Sequence, residues 1–217
     1  MNFVGKIFSK FKESNNFILE LRNICNVGIA LLKGVLYIIW YRIFRRNVII
    51  KFPFMVYAPI KIIGNGSVYI GKGCSVFYSK HHGLTIYTLS KNAEVNIGEG
   101  CDLGGLTIRC ISSVNVGDHT MTAVSLIQDV FIVNVPRNYS NQSRGDIIFS
   151  GNIMIGRNVW LGGQVCVLSG SNIGDGCVLS ASSCILDTKT SSDCLLVGNP
   201  VRRGMPIKGL LKFRGKQ

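Results

Sequence analysis

Few side chains in this sequence can do acid–base or metal chemistry. Histidine occurs three times, as His81, His82 and His119, and imidazole is the side chain whose ordinary pKa suits proton transfer near neutral pH. His119 directly follows Asp118, whose carboxylate could orient a ring nitrogen. The eight cysteines include no CxxC pair, so their spacing gives no zinc pattern and we expect no metal. No signal-peptide pattern is present, which favours reduced, structural cysteines in a cytoplasmic protein.

A six-residue period organises the chain around these side chains. An aliphatic residue recurs at Ile155, Leu161, Val167, Ile173, Leu179 and Ile185. A compact residue stands two positions before each next aliphatic, at Val159, Val165, Ser171, Cys177 and Ser183. This period fits neither an α-helix nor a single strand. It fits a chain that coils with three flat sides, so we predict an all-β fold, a parallel β-helix.

Weaker copies of the repeat extend this domain towards the N-terminus. We place the β-helix at residues 53–205, where Cys74 and Cys101 share the register of Cys177 and should be buried. The repeat stops at residues 135–151, which are polar and turn-forming and are predicted to be an excursion loop. Long loops in compact domains usually have a function.

The two ends of the chain hold its excess of positive charge. The net charge is +13, of which residues 1–51 carry +7 and residues 202–217 carry +6. We therefore delimit a basic, apolar N-terminal segment (1–52) and a basic tail (206–217). No nucleic-acid-binding motif accompanies the charge, so an anionic membrane surface is the better partner. Residues 23–41 are mostly apolar with Lys33 as their one charged residue, and basic residues follow directly after the aromatic ones at its end. Three alternatives stay open for this helix: it lies on the membrane, spans it, or packs on the β-helix or a subunit interface. We predict a cytoplasmic protein, peripheral at the inner face of the membrane.

Three stretches resemble the hexapeptide-repeat acyltransferases. They are IGRNVWLGG (155–163), SGSNIGDGCVLSASSCILDTK (169–189) and LLVGNPVRR (195–203). The likeness covers roughly residues 60–205 and is greatest to the branch that O-acetylates sugars. It implies a left-handed β-helix, a homotrimer with clefts between neighbouring coils, acetyl-CoA as the acyl donor and a sugar or glycan acceptor.

The resemblance also implies where the donor binds. Small residues of this family let the pantetheine arm approach the backbone, and basic residues after the GNP segment meet the CoA phosphates. The matching positions here are Trp160, Gly162, Gly163, Ser180, Ala181, Arg202 and Arg203.

The general base that the family uses is missing from its usual place. A histidine is expected just before the excursion loop, where residues 131–134 read FIVN, and no histidine follows His119. His119 is the best remaining imidazole, and Asp129 stands where an acidic residue often precedes the catalytic histidine. A three-histidine zinc site of the gamma-class carbonic anhydrases is disfavoured, since Val124 replaces a ligand.

Together these residues predict an acetyl-CoA-dependent O-acetyltransferase. Its acceptor would be a sugar of a surface polysaccharide (O-antigen or capsule) or of its lipid-linked precursor. The alternative is a catalytically degenerate trimer that serves as a membrane-associated scaffold.

Overall fold

The chain folds as a parallel β-solenoid of about six turns behind one N-terminal helix. A computed structural model describes residues 17–77, 83–134 and 146–207. Helix α1 spans Phe17–Phe44. The solenoid begins at Val48, ahead of the predicted boundary at residue 53. The predicted all-β coil with a helical extension is confirmed.

Three parallel sheets form the three sides of the coil. Sheet A contains β1 (Val48–Ile50), β4 (Ser67–Ile70), β7 (Glu94–Ile97), β10 (Ser113–Val116), β15 (Ile153–Ile155) and β18 (Asn172–Ile173). Sheet B contains β2 (Phe54–Val56), β5 (Cys74–Val76), β8 (Asp102–Gly104), β11 (Met121–Ala123), β16 (Trp160–Leu161), β19 (Val178–Leu179), β21 (Cys194–Gly198) and β22 (Val201–Pro206). Sheet C contains β3 (Ile60–Gly64), β6 (Leu84–Thr88), β9 (Thr107–Cys110), β12 (Leu126–Gln128), β17 (Cys166–Leu168) and β20 (Cys184–Ile185). We number the coils 1 to 6 from the N-terminus.

The six-residue ladder is the core of the solenoid. All six predicted aliphatics are buried, and so are the five compact residues that precede them. Each strand contributes alternating inward and outward side chains, so like residues stack along the coil axis. Cys74, Cys101 and Cys177 are fully buried at interior corner positions, which confirms the prediction made for them.

The interruption of the repeat is a two-stranded arm. Strands β13 (Val130–Asn134) and β14 (Asp146–Ser150) pair antiparallel, with Val130 opposite Ser150. The arm therefore leaves the coil at residue 130, earlier than the predicted loop start at 135. Residues 135–145 of the predicted loop lie outside the described residues.

Helix α1 covers the first coil with one face. An added Cβ on Gly34 would lie 1.8 Å from the carbonyl oxygen of Phe54, so the helix packs directly on β2. The hydroxyl of Tyr41 accepts a hydrogen bond from the backbone N–H of Ile62 in β3 at 3.2 Å. Burial raises the pKa of this Tyr41 hydroxyl. Of the three alternatives for this helix, packing on the β-helix is therefore observed for this face.

The part of α1 that does not pack on β2 exposes an apolar stripe. At least half of the side-chain surface of Ile29, Leu32, Leu36 and Ile43 is exposed. The segment Ile24–Phe44 is long and apolar enough to cross a membrane by length and composition alone. Because another face of the same segment packs on coil 1, part of the apolar surface of the helix stabilises the fold.

Candidate active site

Four of the predicted donor-binding residues meet at one corner of the solenoid. Gly162 and Gly163 follow β16 in coil 5, and Ser180 and Ala181 follow β19 in coil 6. The N–H of Ser182 donates to the carbonyl of Gly163 at 2.8 Å, which fixes the two coils in register. We call this place, where sheet B turns into sheet C, the B/C corner.

The two glycines of this corner differ in the space around them. A Cβ on Gly162 would lie 2.7 Å from the carbonyl oxygen of Leu179 and 3.0 Å from the nitrogen of Ala181. A Cβ on Gly163 would meet only the carbonyl oxygen of Ala123, at 3.9 Å. Gly162 is therefore needed for coil packing, whereas Gly163 borders open space.

A groove of about 290 Å³ runs along the same corner. It is lined by Gly105, Thr107, Val124, Ser125, Leu126, Gln164, Val165 and Cys166. The corner widens here: the inward residues Thr122 and Ile127 are five positions apart in coil 4, and Leu161 and Val167 are six apart in coil 5. This groove was not predicted, although the change from five to six residues between inward positions can be read from the sequence.

Trp160 lies beside this corner, on the outer face of sheet B. Its side chain is 52% exposed, and its register partners are Met121 and Val178. The exposed part of this indole offers apolar surface to a ligand or a neighbouring subunit.

The two predicted arginines lie farther along the coil axis. Both belong to β22, which pairs antiparallel with β21 beyond coil 6. Arg202 is exposed and borders a depression of about 230 Å³ together with Lys189 and Ser191. The side chain of Arg203 lies outside the described residues. The fold does not bring Arg202 to the groove at Gly163 within one chain.

His119 stands at a different corner, where sheet A turns into sheet B. Its backbone is in the left-handed region, with φ of 57°, and its N–H donates to the carbonyl of Glu99 at 2.8 Å. The exposed imidazole lies against Gly100, because a Cβ there would come within 2.5 Å of His119 Nδ1. We call this place the A/B corner. One chain alone therefore does not combine His119 with the donor-binding residues.

The carboxylate of Asp118 does not engage the His119 ring. Asp118 Oδ1 accepts a hydrogen bond from the N–H of Glu99 at 2.8 Å. Asp175 repeats this contact two coils later, accepting from the N–H of Arg157 at 2.8 Å. This arrangement ties successive coils together, and the suggested orientation of the histidine by Asp118 is absent.

Asp129 is fully buried at the base of the arm. Its two carboxylate oxygens accept hydrogen bonds from the N–H groups of Ile111 (2.8 Å) and Ser112 (2.7 Å), and Cys110 Sγ lies 3.3 Å away. Burial, and then the Asp129 charge, raise the pKa of the Cys110 thiol to about 12. This geometry suits a structural carboxylate that holds the corner, and a catalytic role for Asp129 stays a prediction.

The predicted catalytic pair is thus separated. His119 begins the sheet B side of coil 4, and Asp129 ends its sheet C side. His81 and His82 lie outside the described residues. Within the described ranges, no three His, Cys, Asp or Glu side chains group as metal ligands.

The sequence is similar to acetyltransferases. No family model matches the chain. WbbJ of Escherichia coli (strain K12), a provisionally assigned lipopolysaccharide biosynthesis O-acetyl transferase, is 29% identical over 188 residues, which cover 79% of this chain and 83% of WbbJ. A provisionally assigned acetyltransferase of Staphylococcus aureus (strain COL) is 39% identical over 67 residues, which cover 31% of this chain and 33% of that protein.

Two solved structures share the fold. The polySia-specific acetyltransferase NeuO superposes with a TM-score of 0.59 at 21% identity, covering 73% of this chain and 65% of NeuO. A variant of AntD, an N-acyltransferase from Bacillus cereus in complex with dTDP and coenzyme A, gives a TM-score of 0.54 at 14% identity, covering 82% of this chain and 95% of AntD. The resemblance to hexapeptide-repeat acyltransferases is confirmed, and these relatives support an acyltransferase.

Proposed function

We propose that this protein transfers an acetyl group from acetyl-CoA to a hydroxyl of a sugar. The sugar would belong to a surface polysaccharide or to its lipid-linked precursor. The observation that carries the proposal is the open B/C corner, where Gly163 and Ala181 leave backbone accessible beside a groove of about 290 Å³. A narrow pantetheine arm fits such a corner because Gly163 has no side chain and Ala181 has only a methyl group.

Coenzyme A complexes among the structural neighbours support an acyl-CoA donor. Acetyl-CoA supplies the acetyl group as a thioester. The acceptor hydroxyl forms the new C–O bond, the C–S bond breaks, and the hydroxyl proton must pass to a base. Of the described side chains, His119 is the imidazole that can take this proton.

The separation of His119 from the B/C corner favours a site shared between protomers. A homotrimer places the A/B corner of one protomer near the B/C corner of the next if sheet B faces the neighbour. The exposed Trp160 and Met121 on that face are large apolar side chains suited to such burial. We therefore propose a homotrimer in which His119 and Gly163 of different protomers share a site.

The helix supports a place at the membrane. Because Ala30, Gly34 and Tyr41 hold α1 against coil 1, a helix that crosses a bilayer would lose these contacts. The stripe at Ile29, Leu32, Leu36 and Ile43, flanked by the exposed Arg42 and Arg46, suits a helix lying in the interface of an anionic membrane. We propose peripheral binding at the cytoplasmic face.

The direct test is release of CoA thiol from acetyl-CoA by the purified full chain, measured against hexoses, N-acetylhexosamines and sialic acids, each offered free and linked to a polyisoprenyl phosphate. Thioester turnover that depends on one sugar, with the acetyl group found on that sugar by mass spectrometry, supports the proposal. Binding of acetyl-CoA without turnover on any sugar contradicts it.

A trimeric scaffold without catalysis is the second candidate. It is favoured by Val130–Asn134, which hold no histidine where the resemblance implies one. Calorimetric titration with acetyl-CoA separates the two candidates, because a scaffold has no reason to retain affinity for the donor.

A further inference from the structure

An open groove lies between α1 and β3, the first strand of sheet C. It measures about 680 Å³ and its lining is mostly apolar. The helix contributes Leu36, Trp40 and Ile43 among others, and β3 contributes Ile60 and Ile62. This groove is separate from the B/C corner, since the linings of the two grooves share no residue.

Two cations border this apolar groove. Lys33 on the helix and Lys61 on β3 are exposed members of its lining. The ion pairs of the described residues are Lys72 with Glu99 and Arg157 with Asp175, and neither involves these lysines. An apolar groove with unneutralised cations at its rim is complementary to an anionic lipid.

Sheet C continues this positive character towards the donor groove. On its outer face Lys61 is in register with Thr85 of coil 2, and Thr85 is in register with Thr107 of coil 3. Arg109 lies two residues after Thr107 in the same strand. Arg109 is exposed. Sheet A has no Lys or Arg in its strands, and sheet B has them only in β22.

The distances along sheet C match a lipid-linked sugar. Strands of a sheet lie about 4.8 Å apart, so coil 1 and coil 3 are separated by roughly 10 Å and coil 1 and coil 4 by roughly 14 Å. Thr107 of coil 3 and Leu126 of coil 4 both line the groove at the B/C corner. A phosphate held near Lys61 would therefore place an attached sugar beside the donor groove.

We propose that this groove and sheet C bind the acceptor as a lipid phosphate-linked sugar. The aliphatic chain lies between α1 and β3, Lys61 and Arg109 contact the phosphate, and the sugar extends to the B/C corner. This inference rests on the proposed sugar acyltransferase activity and assigns its acceptor class. Lipid binding is measured without acetyl-CoA, so failure of the site and failure of the transferase are separate results.

The first experiment measures binding of the full chain to phosphatidylcholine vesicles that contain a polyisoprenyl monophosphate. Lys61→Gln with Arg109→Gln should weaken binding roughly 10- to 30-fold, since each cation near a lipid phosphate is worth about 1 kcal/mol. Lys51→Gln with Lys91→Gln is the matched control, because both lysines are exposed and the net charge falls equally. Equal weakening by the two pairs would overturn the phosphate site in favour of general attraction to the membrane.

The second experiment separates the groove from simple insertion of the helix. Leu36→Ser with Ile43→Ser changes the groove lining and should weaken binding roughly tenfold. Ile29→Ser with Leu32→Ser changes exposed positions of the same helix that do not line the groove. Because these positions face the membrane in our proposal, this pair should weaken binding to vesicles with and without the polyisoprenyl phosphate equally, whereas the groove pair should lower the added affinity for the polyisoprenyl phosphate. Equal losses of that added affinity from the two pairs, or equal binding of the wild-type chain to phosphatidylglycerol vesicles of the same charge, would overturn the proposal.

Discussion

The A/B corner and the B/C corner use the same left-handed backbone and leave very different surfaces. At the A/B corner, Gly100, His119 and Asn158 stack in successive coils, and each N–H donates to a carbonyl of the coil below. Carboxylates of Asp118 and Asp175 add further bonds there. At the B/C corner, coil 5 has one residue more than coil 4 between its inward positions, and a groove lies where these coils meet.

This difference shows how a repeat can hold both structure and function. A corner whose backbone groups are all paired and whose side chains bridge coils stabilises the solenoid. A corner widened by one residue keeps its backbone bonds but leaves space outside them. The proposed binding surface therefore lies where the spacing of the repeat changes between two coils.

The largest expected effect comes from removing the imidazole of His119 at the A/B corner. His119→Asn should lower acetyl transfer by about 10²–10⁴-fold if this imidazole is the base, with unchanged affinity for acetyl-CoA. Asparagine tolerates a left-handed backbone and already occupies the equivalent position at Asn158, so the fold is retained. The measurement is CoA release at saturating substrates, and full activity in the variant would remove His119 from the mechanism.

Gly162→Ala should break the packing of the open corner. The new Cβ would press on the Leu179 carbonyl, so we expect the free energy of unfolding to fall by about 1–3 kcal/mol. Denaturant unfolding of the variant and the wild type measures this change. A stability equal to that of the wild type would mean that the coils relax around the methyl group.

Gly163→Ala is the matched variant at the next position. Because its Cβ meets nothing closer than 3.9 Å, the free energy of unfolding should change by less than about 0.5 kcal/mol. The dissociation constant of acetyl-CoA should rise roughly tenfold if the pantetheine arm contacts this backbone. Unchanged affinity, measured by calorimetry, would place the donor elsewhere.

The smallest effect concerns the carboxylate bonds between coils. The N–H of Arg157, and secondarily its guanidinium charge, lower the pKa of Asp175. A lowered folded-state pKa gives stability that is present above the unfolded value of about 3.9 and is lost as the pH falls through the folded value. Asp175→Asn should therefore flatten the acid side of the stability–pH curve slightly, as thermal melts between pH 2 and 5 would show. An unchanged acid side would mean that this exposed carboxylate adds nothing.

The coil and its core could be predicted from the sequence because the information is local. Each aliphatic residue of the six-residue period from Ile155 to Ile185 is buried, as its place in the period predicts. Cys177, at the compact position two residues before Leu179, is buried as well. Grouping of Gly162, Gly163, Ser180 and Ala181 followed from that register together with the family resemblance.

Other features depend on tertiary structure that no local pattern contains. Val124 and Gln164 take a left-handed backbone, which residue type alone does not indicate. The packing of α1 depends on a contact between Gly34 and Phe54, and its apolar sequence fits a membrane equally well. The pairing of β13 with β14 was not predicted, because the polar residues between the two strands indicated only a loop.

Coverage of coil 1 by α1 also limits how the protein can assemble. Strands β1 to β3 are the first rung of a ladder, and an uncovered rung offers unpaired N–H and C=O groups to the last rung of another molecule. Such end-to-end addition repeats without limit and gives filaments. The helix occupies this position on β2, and the hydroxyl of Tyr41 accepts a hydrogen bond from the N–H of Ile62. Because this position is occupied, the strands of another molecule cannot stack on β2 there.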